Sequence, residues 1–168
     1  MDGSIQVYHG TGKGKTTAAL GLGIRAAGSG KQVIMVQFLK RKSSNTTEFL
    51  RRLEPELQIF RFERAECDFS ELSPEKQKEQ ISNIKTALLY TKKVIDTGQC
   101  DVLILDEILG LIDYGIITAE ELEQLISKRE YPMDIVLTGR YMPDNIKNIA
   151  DCIYNIESEK QIADEILS

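Results

Sequence analysis

The residues best suited to chemistry lie near the start of the chain, in Gly10-Thr11-Gly12-Lys13-Gly14-Lys15-Thr16-Thr17. Closely spaced glycines let successive backbone N–H groups turn inward around an anion, and a helix opening at Lys15 would add its positive end. Lys15 is placed to reach a phosphate chain as a point charge, and the Thr16 hydroxyl to ligate Mg²⁺. A bare Gly-Lys-Thr is a weak signal, and an ordinary glycine-rich turn is the alternative reading. Here, however, the loop lies between a β-prone run (Ile5 to Tyr8) and an alanine-rich helical stretch, which is the P-loop context. The strict pattern also asks for glycine at position 9, where this chain has His9, read as a packing or loop residue.

A second candidate group follows the apolar run Val102 to Leu105, which ends in Asp106-Glu107. Carboxylates at that point can hold Mg²⁺ directly or through water; the plainer reading is a surface acidic pair. Arg140, ending Leu137-Thr138-Gly139-Arg140, is a candidate phosphate contact, as are Arg25 and Lys13. No Ser-His-Asp or Cys-His arrangement can be assembled from one histidine. The inventory suits a reaction that needs bound ATP, positioning and a good leaving group.

The elements that must position these residues alternate along the whole chain. Val33 to Phe38, Leu57 to Phe62, Val102 to Leu105, Ile135 to Leu137 and Cys152 to Ile156 read as strands. The second and fourth of the six strands are apolar nearly throughout, as strands covered on both faces are. Helices are expected from Thr16 to Ala27, Thr46 to Leu53, Thr118 to Lys128 and Asn145 to Ala150. Ser73-Pro74 starts a long helix that Gly98 closes, and Thr118 with Glu121 forms a capping box. The pattern predicts one α/β domain over residues 1–168, with a polar tail over 157–168. Its glycine loop, acidic pair and Arg140 all fall at the carboxyl ends of strands, where such sheets bind ligands.

Composition excludes several function classes. The formal net charge of −5 argues against a nucleic-acid partner. The basic run Lys40-Arg41-Lys42 and the pair Arg51-Arg52 read as solvated surface charge. Cys67, Cys100 and Cys152 form no CxxC pair, and with no N-terminal apolar segment they point to the reducing cytoplasm. No apolar run is long enough to span a bilayer.

GTGKGKTTAALG over Gly10 to Gly21, then Arg25-Ala26, Gly30-Lys31, Val36-Gln37-Phe38-Leu39-Lys40, Leu105-Asp106-Glu107 and Leu137-Thr138-Gly139-Arg140, resembles the P-loop ATP:corrinoid adenosyltransferases. The match runs in order from Ile5 to about Asp151, and that family also lacks the first P-loop glycine. The resemblance implies a RecA-like P-loop NTPase fold, a mainly parallel sheet flanked by helices on both faces. It implies that a Co(I) corrinoid attacks the 5′ carbon of ATP and expels triphosphate, with ATP lying reversed in the loop. Carried over, Gly10, Thr11, Gly12, Lys13, Gly14, Lys15, Thr16 and Thr17 hold the triphosphate. Thr16 and Glu107, with Asp106 beside them, take Mg²⁺; Lys15, Thr16 and Glu107 are the catalytic set; and Arg25 and Arg140 assist ATP binding. The family's tryptophan-containing aromatic segment near the third strand is absent, since the chain has no tryptophan. Phe60, Phe62 and Phe69 occupy the corresponding region, as corrinoid contacts or as packing. A homodimer and a reductant protein such as a flavodoxin are further implications. The alternatives are a P-loop ATPase or phosphotransferase, and a non-catalytic ATP- or corrinoid-binding module.

Overall fold

A computed structural model describes residues 3–40, 45–62 and 67–160. Arg41 and Lys42, the middle of the segment from Phe60 to Phe69, and the tail beyond Lys160 lie outside the described residues. The strands are β1 (Ile5–His9), β2 (Val33–Gln37), β3 (Leu57–Arg61), β4 (Val102–Asp106), β5 (Asp134–Gly139) and β6 (Cys152–Asn155). They form one sheet in the order β3-β2-β4-β5-β1-β6, and every pairing is parallel.

Alternation along the strands divides the core between the two faces. Val33 and Met35 of β2, Val102 and Ile104 of β4, and Val136 of β5 face one side. There they meet Ala19 and Leu20 of α1 (Lys15–Gly28). Ile34, Val36, Leu103, Leu105, Ile135 and Leu137 face the other side. That face is covered by α3 (Pro74–Thr97), α4 (Ile108–Asp113), α5 (Ala119–Ser127) and α6 (Asp144–Ile149), through Ile84, Leu109, Leu122 and Ile146 among others. A short α2 (Asn45–Leu50) runs into a 3-10 turn before β3.

The local signals act as read. The Ser73 hydroxyl accepts from the Lys76 N–H at 3.4 Å, and Gly98 closes α3 in the left-handed region at φ 60°. Thr118 and Glu121 exchange both capping-box bonds, at 2.7 and 3.1 Å. One element escapes the sequence pattern. The apolar run Val102 to Leu105 ends at Asp106-Glu107, where Glu107 takes φ 61°, and Ile108 then opens α4. Periodicity cannot mark so abrupt a strand-to-helix junction, because both sides are apolar.

Candidate nucleotide site

The loop between β1 and α1 is shaped by two glycines used differently. Gly10, at φ 122°, has no room for a side chain: a Cβ there would lie 2.3 Å from the Ile156 carbonyl oxygen. Its N–H donates to the Arg140 carbonyl (3.0 Å), and the Gly12 N–H to the Ile156 carbonyl (2.8 Å), so β5 and the end of β6 hold the loop. Gly14, at φ 107°, faces open space and turns the chain into α1. Lys15 is buried, and its ammonium donates to the Gly12 carbonyl at 2.7 Å, inside the loop's own curve. Burial pushes the Lys15 pKa down, opposed by the Glu107 carboxylate. Such a cation is suited to receive a phosphate.

Beside the loop, a row of polar side chains crosses the sheet on the face covered by α1. Arg61, Gln37 and Asp106 are register partners at the ends of β3, β2 and β4, and Thr138 lies near the end of β5. Arg61 Nε donates to Gln37 Oε1 (2.5 Å), and Gln37 Nε2 to Asp106 Oδ2 (3.1 Å). The hydroxyls of Thr138 (2.7 Å) and Thr16 (2.9 Å) both donate to Asp106 Oδ1. Thr138 Oγ1 in turn accepts from the Glu107 N–H at 2.8 Å. Asp106 is fully buried, and this network satisfies it.

Lys40 completes the group. Its ammonium lies 3.0 Å from Thr16 Oγ1 and 3.4 Å from Asp106 Oδ2. Glu107 is held near the same charges. Burial raises its pKa, while Lys40, Lys15 and Arg140 pull it down. Glu107 and Leu39 are the two non-glycine residues with positive φ among the described residues, at 61° and 53°. Backbone strain of about 1–3 kcal/mol each is thus stored on both sides of Asp106, a pattern typical of functional sites.

Among the described residues no three His, Cys, Asp or Glu side chains converge as a self-sufficient metal cage. The donor set of one hydroxyl and two adjacent carboxylates still fits Mg²⁺, which characteristically completes its octahedron with substrate phosphates and water. The ammonium already seated between the Thr16 hydroxyl and Asp106 makes the same point, since that position attracts a cation.

The family described as ATP:corrinoid adenosyltransferase BtuR/CobO/CobP matches residues 1–167. The chain belongs to this family. It is 30% identical over 162 residues to a corrinoid adenosyltransferase of Escherichia coli, covering 96% of this chain and 80% of that one. It is 29% identical over the same length to a corrinoid adenosyltransferase of Salmonella typhimurium, with the same coverage. In fold it is similar to a KaiC-like protein of Pyrococcus horikoshii, with a TM-score of 0.57 at 15% identity. The alignment spans 94% of this chain and 74% of that one. The sheet is the P-loop NTPase sheet, with the acidic strand β4 one strand removed from the loop strand β1.

Within this family member, the residues singled out from sequence divide into two groups. Gly10, Gly12, Gly14, Lys15, Thr16, Asp106 and Glu107 come together, and Thr11, Lys13 and Thr17 are exposed on the same loop and first helical turn. Arg140 is exposed beside them, and its charge is felt by Lys15, Glu107 and Asp113. Arg25 stands apart from this group. Ten residues of helix, about 15 Å of rise, separate it from Lys15, and it is exposed at the far end of α1. Phe60 and Phe62 pack on Tyr90, at centroid distances of 4.8 and 5.6 Å, against the core. Phe69 instead pairs with the half-exposed Tyr114, 4.9 Å away at the end of α4.

Lys40, Gln37, Arg61 and Thr138 were not assigned roles from sequence. Lys40 departs from the reading as solvated charge, whereas Arg51 fits it, in an exposed pair with Glu48. A signal for the other three did exist. Each is a polar residue at or next to the end of an apolar strand, at the same alternation as Asp106.

Proposed function

We propose that this chain transfers the 5′-deoxyadenosyl group of Mg·ATP to a Co(I) corrinoid and releases triphosphate. The observation that carries this reading is the joined group of P-loop, Thr16, Asp106 and Glu107 in a chain of the ATP:corrinoid adenosyltransferase family. In the step itself, the cobalt electron pair forms the Co–C5′ bond. The C5′–O bond breaks, its electrons leave on triphosphate, and cobalt rises formally from Co(I) to Co(III). Such a nucleophile needs no general base, so the protein contributes orientation and neutralisation of the leaving group.

The backbone N–H groups of Lys13 to Thr17 and the Lys15 ammonium bind the triphosphate, with Arg140 at the rim, while the N–H groups of Gly10 and Gly12 hold the loop in place through the Arg140 and Ile156 carbonyls. Lys15 must leave the Gly12 carbonyl to do so, an exchange of one acceptor for a charged one. Mg²⁺ held by Thr16, Glu107 and Asp106 would supply additional positive charge to the phosphate oxygens. ATP is oriented with its 5′ carbon outward, opposite to its placement in phosphoryl-transfer enzymes. The corrinoid is assigned to the side where the partly buried Phe69 packs on the exposed Tyr114, because Phe60 and Phe62 are already engaged with Tyr90. We further infer a homodimer in the cytoplasm, receiving its corrinoid reduced by a partner such as a flavodoxin. The free thiols of Cys67, Cys100 and Cys152 suit that compartment, and no helix among the described residues is long and apolar enough to cross a membrane.

Anaerobic incubation with Mg·ATP and chemically reduced corrinoid tests the reaction. Tripolyphosphate together with a light-sensitive alkylcorrinoid is the expected result. ADP as product would replace this reading with a phosphotransferase or ATPase, and tight ATP binding without turnover with a binding module. Phe69→Ala is expected to raise the corrinoid KM about tenfold, equivalent to ~1.4 kcal/mol of aromatic contact, with the ATP KM unchanged. An unchanged corrinoid KM would remove Phe69 from the site.

A further inference from the structure

Lys40 sits where the reaction above requires a divalent cation. Its ammonium donates to Thr16 Oγ1 at 3.0 Å and pairs with Asp106 Oδ2 at 3.4 Å, between the hydroxyl and the buried carboxylate. Its charge is the largest influence opposing the burial-driven rise of the Glu107 pKa. One side chain therefore bears on both carboxylates, in contact with Asp106 and, of the neighbouring cations, the strongest influence on Glu107.

The backbone is built to bring it there. Phe38 is fully buried, and its N–H donates to the Asp106 carbonyl at 2.9 Å, extending the pairing of β2 and β4 by one residue. Leu39 then adopts φ 53°, a left-handed conformation costly for a residue with a branched side chain. Leu39 fills the space over Gly110, where a Cβ would lie 2.8 Å from Leu39 Cδ1. Anchored in this way, the chain turns sharply and Lys40 folds back over Thr16 with its side chain 28% exposed. A freely solvated lysine would need neither the strain nor the anchor.

We propose that Lys40 is a positioning residue for the metal–triphosphate group. It holds the cation position in the nucleotide-free protein, excludes a free divalent ion from it, and transfers to the triphosphate when metal and nucleotide enter together. Two positive groups cannot share a position beside one carboxylate, since like charges a few ångströms apart repel strongly even at protein-surface screening. A triphosphate supplies the additional negative charge that accommodates both. Metal entry would thereby be coupled to nucleotide entry. This inference rests on the Mg·ATP reading of the site.

The test uses Mn²⁺ as probe on the whole protein without corrinoid. The free six-line EPR signal reports unbound ion in the metal-only arm. Equilibrium dialysis against Mn·ATP reports protein-bound ion in the nucleotide arm, because ATP itself chelates Mn²⁺. Wild type is expected to bind Mn²⁺ poorly alone and well with ATP. Lys40→Met and Lys40→Gln are expected to bind Mn²⁺ alone about tenfold or more tightly than wild type, because a repelling charge is removed. Lys40→Arg is expected to stay within about twofold of wild type, by retaining that charge. Thermal melts identify any variant that fails to fold, and either neutral substitution suffices. If wild type and the neutral variants bind Mn²⁺ alone equally while all bind Mn·ATP, Lys40 does not guard the site and the proposal falls. If wild type takes up no Mn²⁺ even with ATP, the metal–nucleotide reading itself is overturned, and this inference with it.

Discussion

At the amino end of the sheet, three aspartates accept from backbone N–H groups of neighbouring strand entrances. Asp101 takes the Gln32 N–H at 2.8 Å, Asp134 the Ser4 N–H at 2.9 Å, and Asp151 the Ile5 N–H at 2.7 Å. At the carboxyl end, Asp106 is held by side chains, those of Thr16, Thr138, Gln37 and Lys40. The residue type is the same, but the consequences differ. A carboxylate bonded to backbone cannot release its partner without loosening a strand, so it fixes register. One bonded to hydroxyls and an ammonium can exchange partners by side-chain rotation, at a cost near that of one hydrogen bond. The amino end is therefore suited to rigidity and the carboxyl end to ligand exchange.

The largest effect that sharpens this contrast is expected from Lys15→Ala. Its bond is to a loop carbonyl, and burial already disfavours its charge, so folding gains little from it. Turnover is expected to fall by about 10²–10³-fold, the loss typical of a group that stabilises a developing negative charge. The thermal midpoint is expected to stay within about 2 °C of wild type, a change under ~1 kcal/mol. Turnover that survived the substitution would dissolve the assigned site.

Asp151→Ala should produce the reverse pattern. It removes the acceptor of the Ile5 N–H where β1 enters beside β6, while Asp151 lies at the opposite end of the strands from the P-loop. A stability loss of about 1 kcal/mol is expected, or about 2–4 °C in the midpoint for a chain of this size. Turnover per folded molecule should be unchanged. A fall in turnover with full stability would show that the two ends are coupled.

Much of this contrast was legible in the sequence, and the missing part has a physical cause. The glycine loop, Lys15, Thr16, Asp106 and Glu107 could be read because each is defined by local order: strand, turn, helix, acidic strand end. The parallel sheet followed from apolar strands alternating with capped helices. Gln37, Arg61 and Thr138 ended strands in the same way as Asp106. Their joining into one row depends on β2, β3 and β5 lying as neighbours in the order β3-β2-β4-β5, which strand patterns do not specify. Lys40 belongs to a basic run that composition describes as solvated. Only the left-handed turn at Leu39 directs it inward. Arg25 was carried over from the motif match, and it stands apart from the joined group, about 15 Å of helix rise from Lys15. The three amino-end aspartates gave no signal, since an aspartate at a strand entrance resembles any turn residue.

The smallest effect concerns pH, and it separates a backbone-bonded carboxylate from its surroundings. Burial raises the Asp134 pKa, but bonds from the Ser4 N–H, the Ser4 hydroxyl (2.8 Å) and Lys31 (3.1 Å) outweigh it and leave the value lowered. A carboxyl whose folded pKa is depressed binds its proton less readily folded than unfolded. Its stabilisation is therefore fully present above the unfolded value of about 3.9 and lost as pH falls through the folded one. Asp134→Asn retains a carbonyl acceptor for Ser4 but loses the charge. Wild type is expected to exceed the variant by less than about 1 kcal/mol between pH 5 and 7, because the Lys31 pair is largely solvated. The gap should narrow steadily below pH 4 in denaturant titrations. A gap that stayed constant down to pH 3 would mean that shape rather than charge holds Ser4, and that the amino end fixes register without its ionised carboxylates.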